Sequence, residues 1–314
     1  MDAGIQKSNK TEYPQRHWTP AFAGATTTKP MTLLQRYSPL LFVLLWSTGF
    51  IGARLGLPHA EPLTFLSLRY VLVIGLLCIV AAATRAAWPK TPRAWLHIGV
   101  SGVLVHGIYL GGVFVAISRG LPAGVSSVVV GIQPLLTAAV AGWLLGEIVS
   151  RRQWLGLALG FIGVVMVVQA KFGTEFGWDA LLPAVLALFG ITSGTLYQKR
   201  FCPTFDLRTG AIAQFLPALL LTAVVASMTE SFRVSWTGEF VFALGWLTLV
   251  LSLGAISLLN LLIRRGGAVN VASLFYLVPP TTALMAWYLF DERLGVVAGM
   301  GMALAVAGVY LARK

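Results

Sequence analysis

Residues 124–147 read GVSSVVVGIQPLLTAAVAGWLLGE, and residues 269–292 read VNVASLFYLVPPTTALMAWYLFDE. Each is a long apolar run interrupted by proline and ended by a carboxylate. Each is followed by a basic residue and a Gly- and Ala-rich apolar run, SRRQWLGLALGFIGVVMVV at 150–168 and RLGVVAGMGMALAVAGVYL at 293–311. Pro134 matches Pro279, Glu147 matches Glu292, Gly156 matches Gly301 and Gly163 matches Gly308, always at the same separation (279 − 134 = 145). A constant offset over four anchors is an internal repeat, and a repeat fixes the architecture before any single element is read.

Working outward, the 314-residue chain is 57% hydrophobic and 11% charged, with a mean hydropathy of +0.80. Soluble domains carry about 25% charged residues. Apolar runs of about 20 residues suit a hydrocarbon core about 30 Å thick. Ten spans are predicted, at roughly 37–57, 63–83, 94–116, 121–145, 152–170, 178–198, 207–228, 239–262, 268–290 and 293–312. The fold class is therefore all-α, a polytopic membrane protein. The domains are a tail, residues 1–36, and two five-helix halves, residues 37–170 and 178–312. Residues 1–30 are polar, Thr-rich and aperiodic, with neither a signal-peptide core nor a span. Met31 is the expected start; a disordered cytoplasmic tail is the other reading.

The net charge of +12 follows from basic loops rather than a nucleic-acid face, since no continuous basic surface can be drawn. With the N-terminus inside, thirteen Lys and Arg fall in cytoplasmic loops: Arg36, Arg85, Lys90, Arg93, Arg151, Arg152, Lys199, Arg200, Arg208, Arg264, Arg265, Arg313 and Lys314. Five fall opposite: Arg54, Arg119, Lys171, Arg233 and Arg293. The positive-inside rule then places both termini in the cytoplasm. The repeat extends over nearly the whole apolar region, with Ser47-Thr48-Gly49 matching Thr192-Ser193-Gly194 and Arg69 falling opposite Gln214. An odd number of spans per half requires the second half to insert upside down, a recurrent design of secondary transporters with the substrate site near the pseudo-two-fold axis.

The Trp46-Ser47-Thr48-Gly49 segment, the stretch from Pro134 to Gly146-Glu147, its weaker counterpart from Pro279 to Glu292 and the Gly-rich run after each resemble the EamA-type repeats of the drug/metabolite transporter superfamily. The resemblance covers residues 37–312 and implies ten transmembrane helices in two inverted five-helix repeats. It implies a secondary transporter of small metabolites in the inner membrane, with export favoured over uptake. The second copy departs from the pattern, with Asp291 for the glycine before Glu292 and Pro-Pro for Gln-Pro, so the halves are not expected to bind equivalently.

The chemistry-bearing residues are few. No nucleotide-binding loop occurs, the four histidines have no metal spacing, and no nucleophile–base pair can be drawn, so neither a cofactor, a metal nor an enzymatic reaction is expected. The eleven Asp and Glu lie in the tail, in loops or at helix ends, which argues against a carboxylate proton relay in the membrane. Arg69 lies about 9 Å deep at 1.5 Å per residue, and it either snorkels to the headgroups or binds an anion in a central cavity. His106, near the middle of the third span, has Tyr109 three residues on and hence on the same helical face. Packing is its other reading. Gln133 precedes Pro134, and proline frees a carbonyl upstream, as in the broken helices of many transporter sites. Pro279 and Pro280 mark the equivalent break. Trp46, Ser47, Gln214, Asn270 and Tyr276 complete the expected substrate-binding set. Gly156-x-x-x-Gly160 and Gly295-x-x-x-Gly299 serve either intramolecular packing or a homodimer. Glu147 is expected to pair with Arg151 or Arg152, or to cap the next helix. The expected partners are a small polar substrate, amino acids or other carboxylate-bearing compounds, and membrane lipid. A non-transporting scaffold or sensor on the same bundle is the alternative reading.

Overall fold

The computed structural model describes residues 33–169, 176–202, 204–290 and 295–313. The tail with Met31, and the turn holding Asp291 and Glu292, lie outside them. Ten apolar helices follow one another: α1 Leu33–Gly56, α2 Pro62–Ala83, α3 Pro92–Ser118, α4 Val125–Leu145, α5 Arg151–Val168, α6 Trp178–Phe201, α7 Leu207–Thr229, α8 Gly238–Arg265, α9 Ala268–Leu289 and α10 Val296–Ala312. Nine are long and apolar enough to cross a membrane, and α10 has 17 residues. The β geometry among the described residues is a single isolated bridge from Ala60 to Val234.

Local chemistry sets the ends. Thr91 caps α3 by accepting from Ala94 N, with Pro92 at the first helical position, where its missing N–H costs nothing. Ser150 and Gln153 form a reciprocal capping box at the start of α5. Gly146 ends α4 in the left-handed region at φ 69°, which favours glycine.

Two of the proline sites coincide with helix breaks, whereas Pro39, Pro183 and Pro217 lie inside continuous helices. α4 is interrupted at Gly131-Ile132, just before Pro134. α9 tightens into a 3₁₀ turn over Leu274–Leu277, just before Pro279 and Pro280. A second pair of irregularities is unannounced by proline. α3 widens to π-helical winding over Val103–Leu110, and α8 over Leu247–Ala255. Shifted by the repeat offset, the two segments coincide to within one residue.

Packing follows the repeat. α2 lies along α7 and α5 along α10. α6 rests on α3 and α4, and α1 correspondingly meets α8 and α9, through Gly49 and Gly52 against Leu251 and Leu247 and through Phe42 against Phe275. The α3–α6 and α4–α6 contacts thus recur, more sparsely, as α8–α1 and α9–α1 with the halves exchanged. The α5–α10 contact is backbone to backbone. A Cβ on Gly163 would lie 2.5 Å from Ala305 N, and one on Gly308 would lie 2.4 Å from Gly160 N. Gly156 and Gly160 therefore serve packing within the chain, whereas Gly295 and Gly299 face open space.

The turns form two sets. On one face Glu230 caps α2 through Leu63 N and Thr64 N, Glu61 accepts from Ser231 N, and Arg119 donates to the Asp179 carbonyl. On the other, Thr209 donates to the Ala87 carbonyl, and both oxygens of Glu147 accept from Ala268 N at 2.9 Å. Glu147 caps α9 in the opposite half, not the helix that follows it. This second face holds Arg85, Lys90, Arg93, Arg151, Arg152, Arg200 and Arg265, and is called the basic face below.

Candidate functional site

α2, α3 and α8 bring the main candidate together near the middle of the bundle. Arg69 is fully buried. Its Nε donates to Ser252 Oγ at 2.9 Å, and its two terminal nitrogens have no hydrogen-bonding partner among the described residues. Ser252 sits in the π-helical stretch of α8, and its hydroxyl also donates to the Leu247 carbonyl five residues back, a contact that the wider turn permits. Tyr70, His106 and Tyr109 lie within electrostatic reach of the guanidinium. Among the described residues no carboxylate is paired with it. Burial of an unpaired ion costs several kcal/mol, so an anion placed at the two free nitrogens is strongly favoured there. A guanidinium also offers two parallel donors to one carboxylate.

Beside this cation stands an aromatic wall. Trp46 and Tyr109 stack with centroids 6.3 Å apart and planes 10° apart, and Phe42 and Phe275 close on Trp46 at 5.2 and 5.4 Å. A cavity of about 30 Å³ lies against Trp46, Gly49, Tyr109 and Leu251. On the far side from the basic face, Phe65 packs on Phe114 at 5.8 Å and on Phe240 at 5.2 Å. These rings pack α2 against α3 and α8 on that side.

The remaining candidates scatter. His106 and Tyr109 were expected on one face, but π-helical winding turns them apart. The His106 ring stacks on Phe215 of α7 at 4.2 Å, while Tyr109 faces Trp46 of α1. Both His106 ring nitrogens are buried beside Gln214, and neither makes a well-formed hydrogen bond among the described residues. The Ser47 hydroxyl donates to Val43 O and Val278 O, which joins α1 to α9. Gln133 is buried, its Nε2 at 3.5 Å from Thr195 Oγ1 and its Oε1 unpartnered, beside a cavity of about 10 Å³. Pro134 and the Pro279-Pro280 pair lie at the interruptions of α4 and α9. Asn270 lies near the basic end of α9 and accepts from Gln153 at 3.4 Å. The Tyr276 ring lies where a Cβ on Gly160 would meet it at 2.5 Å, so it packs on α5.

Gln214 belongs to a network on the basic side with Ser101, Gln198 and Asn260. Sequence reasoning missed those three and Ser252. The available signal was weak: each is a lone polar residue within an apolar run. Among the described residues no group of three His, Cys, Asp or Glu side chains is placed to hold a metal.

Two stretches, residues 38–169 and 178–313, match the model of the EamA-like transporter family. An uncharacterized transporter of Bacillus subtilis is 27% identical over 86% of this chain and 88% of its own. A probable amino-acid metabolite efflux pump of Salmonella typhimurium is 27% identical over 87% of this chain and 92% of its own. A protein of the same name from Escherichia coli is 26% identical over 87% and 92%. A solved crystal structure superposes with a TM-score of 0.75 at 20% identity, covering 88% of this chain and 94% of that one. That likeness concerns the fold.

Proposed function

This chain belongs to the EamA-like transporter family, and from that premise we propose that it exports small carboxylate-bearing metabolites across the inner membrane by alternating access. Both termini and the basic face are cytoplasmic in this reading, on the strength of the loop charges. The two five-helix repeats, residues 37–170 and 178–312, are its moving halves. The observation that carries the substrate class is Arg69, fully buried, with both terminal nitrogens unpartnered and no acid paired to it. A neutral substrate leaves that charge exposed to the low-dielectric interior, whereas a carboxylate neutralises it. The aromatic wall of Trp46, Tyr109 and Phe275 supports recognition of an apolar or cationic group at the other end of the substrate. Amino acids fit both demands, and the names of the Salmonella and Escherichia relatives favour the same class.

Binding by purified protein tests this reading, with a panel of amino acids each paired with its α-carboxamide. A hydrogen-bonded charge contributes about 1.5–3 kcal/mol. Arg69→Gln is therefore expected to weaken carboxylate binding about tenfold or more and to leave the carboxamide unchanged. Arg69→Lys, which keeps the charge and loses the paired donors, is expected to fall between the two. Equal affinity of wild type and Arg69→Gln for both members of every pair would return Arg69 to a packing role.

A further inference from the structure

Near the basic end of α6, Thr195, Gln198 and Lys199 share one side of the helix, three and four residues apart. Each holds a different partner. Thr195 meets Gln133 of α4, and Lys199 donates to the carbonyls of Ile263 and Gly266 at the end of α8. Gln198 completes a closed ring of three amides. Its nitrogen donates to Asn260 Oδ1 at 2.9 Å, Asn260 Nδ2 donates to Gln214 Oε1 at 3.2 Å, and Gln214 Nε2 donates back to Gln198 Oε1 at 3.0 Å. Gln214 Nε2 also donates to Ser101 Oγ on α3. All four side chains are no more than 2% exposed.

The repeat shows what is special about this cluster. Shifted by the offset, Ser101, Gln198, Gln214 and Asn260 become Trp246, Ala53, Arg69 and Val115. No ring can form from those residues. Near the basic face the crossings of α3, α6, α7 and α8 are held by this closed amide ring; in the other half α8 meets α2 through the single Arg69–Ser252 bond and α1 through Trp246 and Thr48, and the crossings are filled by the Phe65, Phe114 and Phe240 rings. Aromatic contacts slide without leaving a polar group bare. Amides cannot part inside a membrane unless water replaces each lost bond.

We propose that the Gln198–Gln214–Asn260 ring is the latch of the cytoplasmic gate. It is closed here, and it must open, with entry of water, before the Arg69 site communicates with the cytoplasm. Its residues act through helix position, setting the balance between the two facing states. The proposal rests on the transport reading and topology above, but its test needs no substrate.

The test uses a chain lacking Cys78 and Cys202, with one reporter cysteine at Ala272, which lines the small cavity beside Gln133. An impermeant maleimide is applied from the cytoplasmic face, and the labelling rate is measured. In one variant Gln198→Met, Gln214→Met and Asn260→Leu are combined, which leaves no orphaned amide. In a second, Asn260→Asp keeps the shape but sets an acceptor against the Gln214 oxygen. Labelling at Ala272→Cys is expected to accelerate about tenfold in each, the equivalent of about 1.4 kcal/mol. A reporter at Ala53→Cys, the repeat counterpart of Gln198 near the other face, is expected to label no faster from outside. General loosening of the fold would accelerate both reporters. An unchanged rate at Ala272→Cys in either variant that remains monodisperse overturns the latch, as does equal acceleration at both reporters. Labelling of Ala272→Cys from the opposite face alone corrects the topology, and the ratio measured from that face still judges the latch.

Discussion

Arg69 and Gln214 occupy equivalent positions in the two repeats, and the contrast between them divides the bundle chemically. Gln214 satisfies its amide within the chain through Gln198, Asn260 and Ser101. Arg69 keeps two donor nitrogens in reserve. In the proposed mechanism one position seals and the other receives an anion. Neither role is readable from residue type alone, because Gln214's partners lie 16, 46 and 113 residues away along the chain. Arg69 was legible for a different reason, as a charge in an apolar run is conspicuous wherever its partners are. At the basic face, Asp206 caps α7 by accepting from Arg208 N. The side-chain bond from Arg208, above all, holds its carboxyl down to about 2 from an ordinary 3.8. The folded chain thus binds this proton less tightly than the unfolded one, so the stabilisation is complete above pH 4 and fades as pH falls toward 2. The pair is solvent-accessible, which limits it to about 1 kcal/mol or less. Asp206→Asn is expected to lower the melting temperature slightly at pH 7, with the difference from the parent vanishing near pH 2. A constant difference across that range would assign the effect to something other than the ionised carboxylate.

At the scale of elements, the sequence is informative about where helices run and where proline interrupts them. It is uninformative about winding. The π-helical stretches of α3 and α8 carry no proline and no repeat-specific residue, yet they turn His106 away from Tyr109 and set Ser252 beside Arg69. Helical-face arguments that assume 3.6 residues per turn fail at such places. Geometry assigns the Gly156–Gly160 face to packing within the chain and leaves Gly295 and Gly299 facing open space. α5 and α10 approach so closely at Gly163 that even a methyl group meets backbone atoms of Gly301 and Ala305. Gly163→Ala is therefore expected to cost about 1–3 kcal/mol, the usual penalty of overpacking. Gly299→Ala meets nothing within 4 Å. It is expected to be neutral or to stabilise by up to about 1 kcal/mol through helix propensity. Thermal melts of the two variants in detergent distinguish them; equal destabilisation would mean that the close α5–α10 approach is absent in the membrane.

At the scale of the whole molecule, the repeat offset in sequence and the exchange of helix partners in space express the same relation, which is why the ten-helix architecture was legible at once. Side-chain networks that span helices were not, since the offset constrains backbone placement and leaves residue choice free to differ between halves. That freedom leaves the two ends of the bundle chemically unlike. The orientation predicts that single cysteines at Ala87 and Ser235, in a chain lacking Cys78 and Cys202, react with an impermeant reagent from opposite sides, Ala87→Cys from the cytoplasm. Reaction of both from one side would break the alternation of spans. The central proposal for this protein is outward passage of carboxylate compounds through the Arg69 site. Metabolite profiles of the medium from cells overproducing wild type or Arg69→Gln, at matched membrane abundance, test that claim most directly. The expected result is accumulation of one or a few carboxylate-bearing metabolites outside cells with the wild type, and its loss with Arg69→Gln. Identical media from the two strains, or equal export of an uncharged or cationic compound by both, would contradict it.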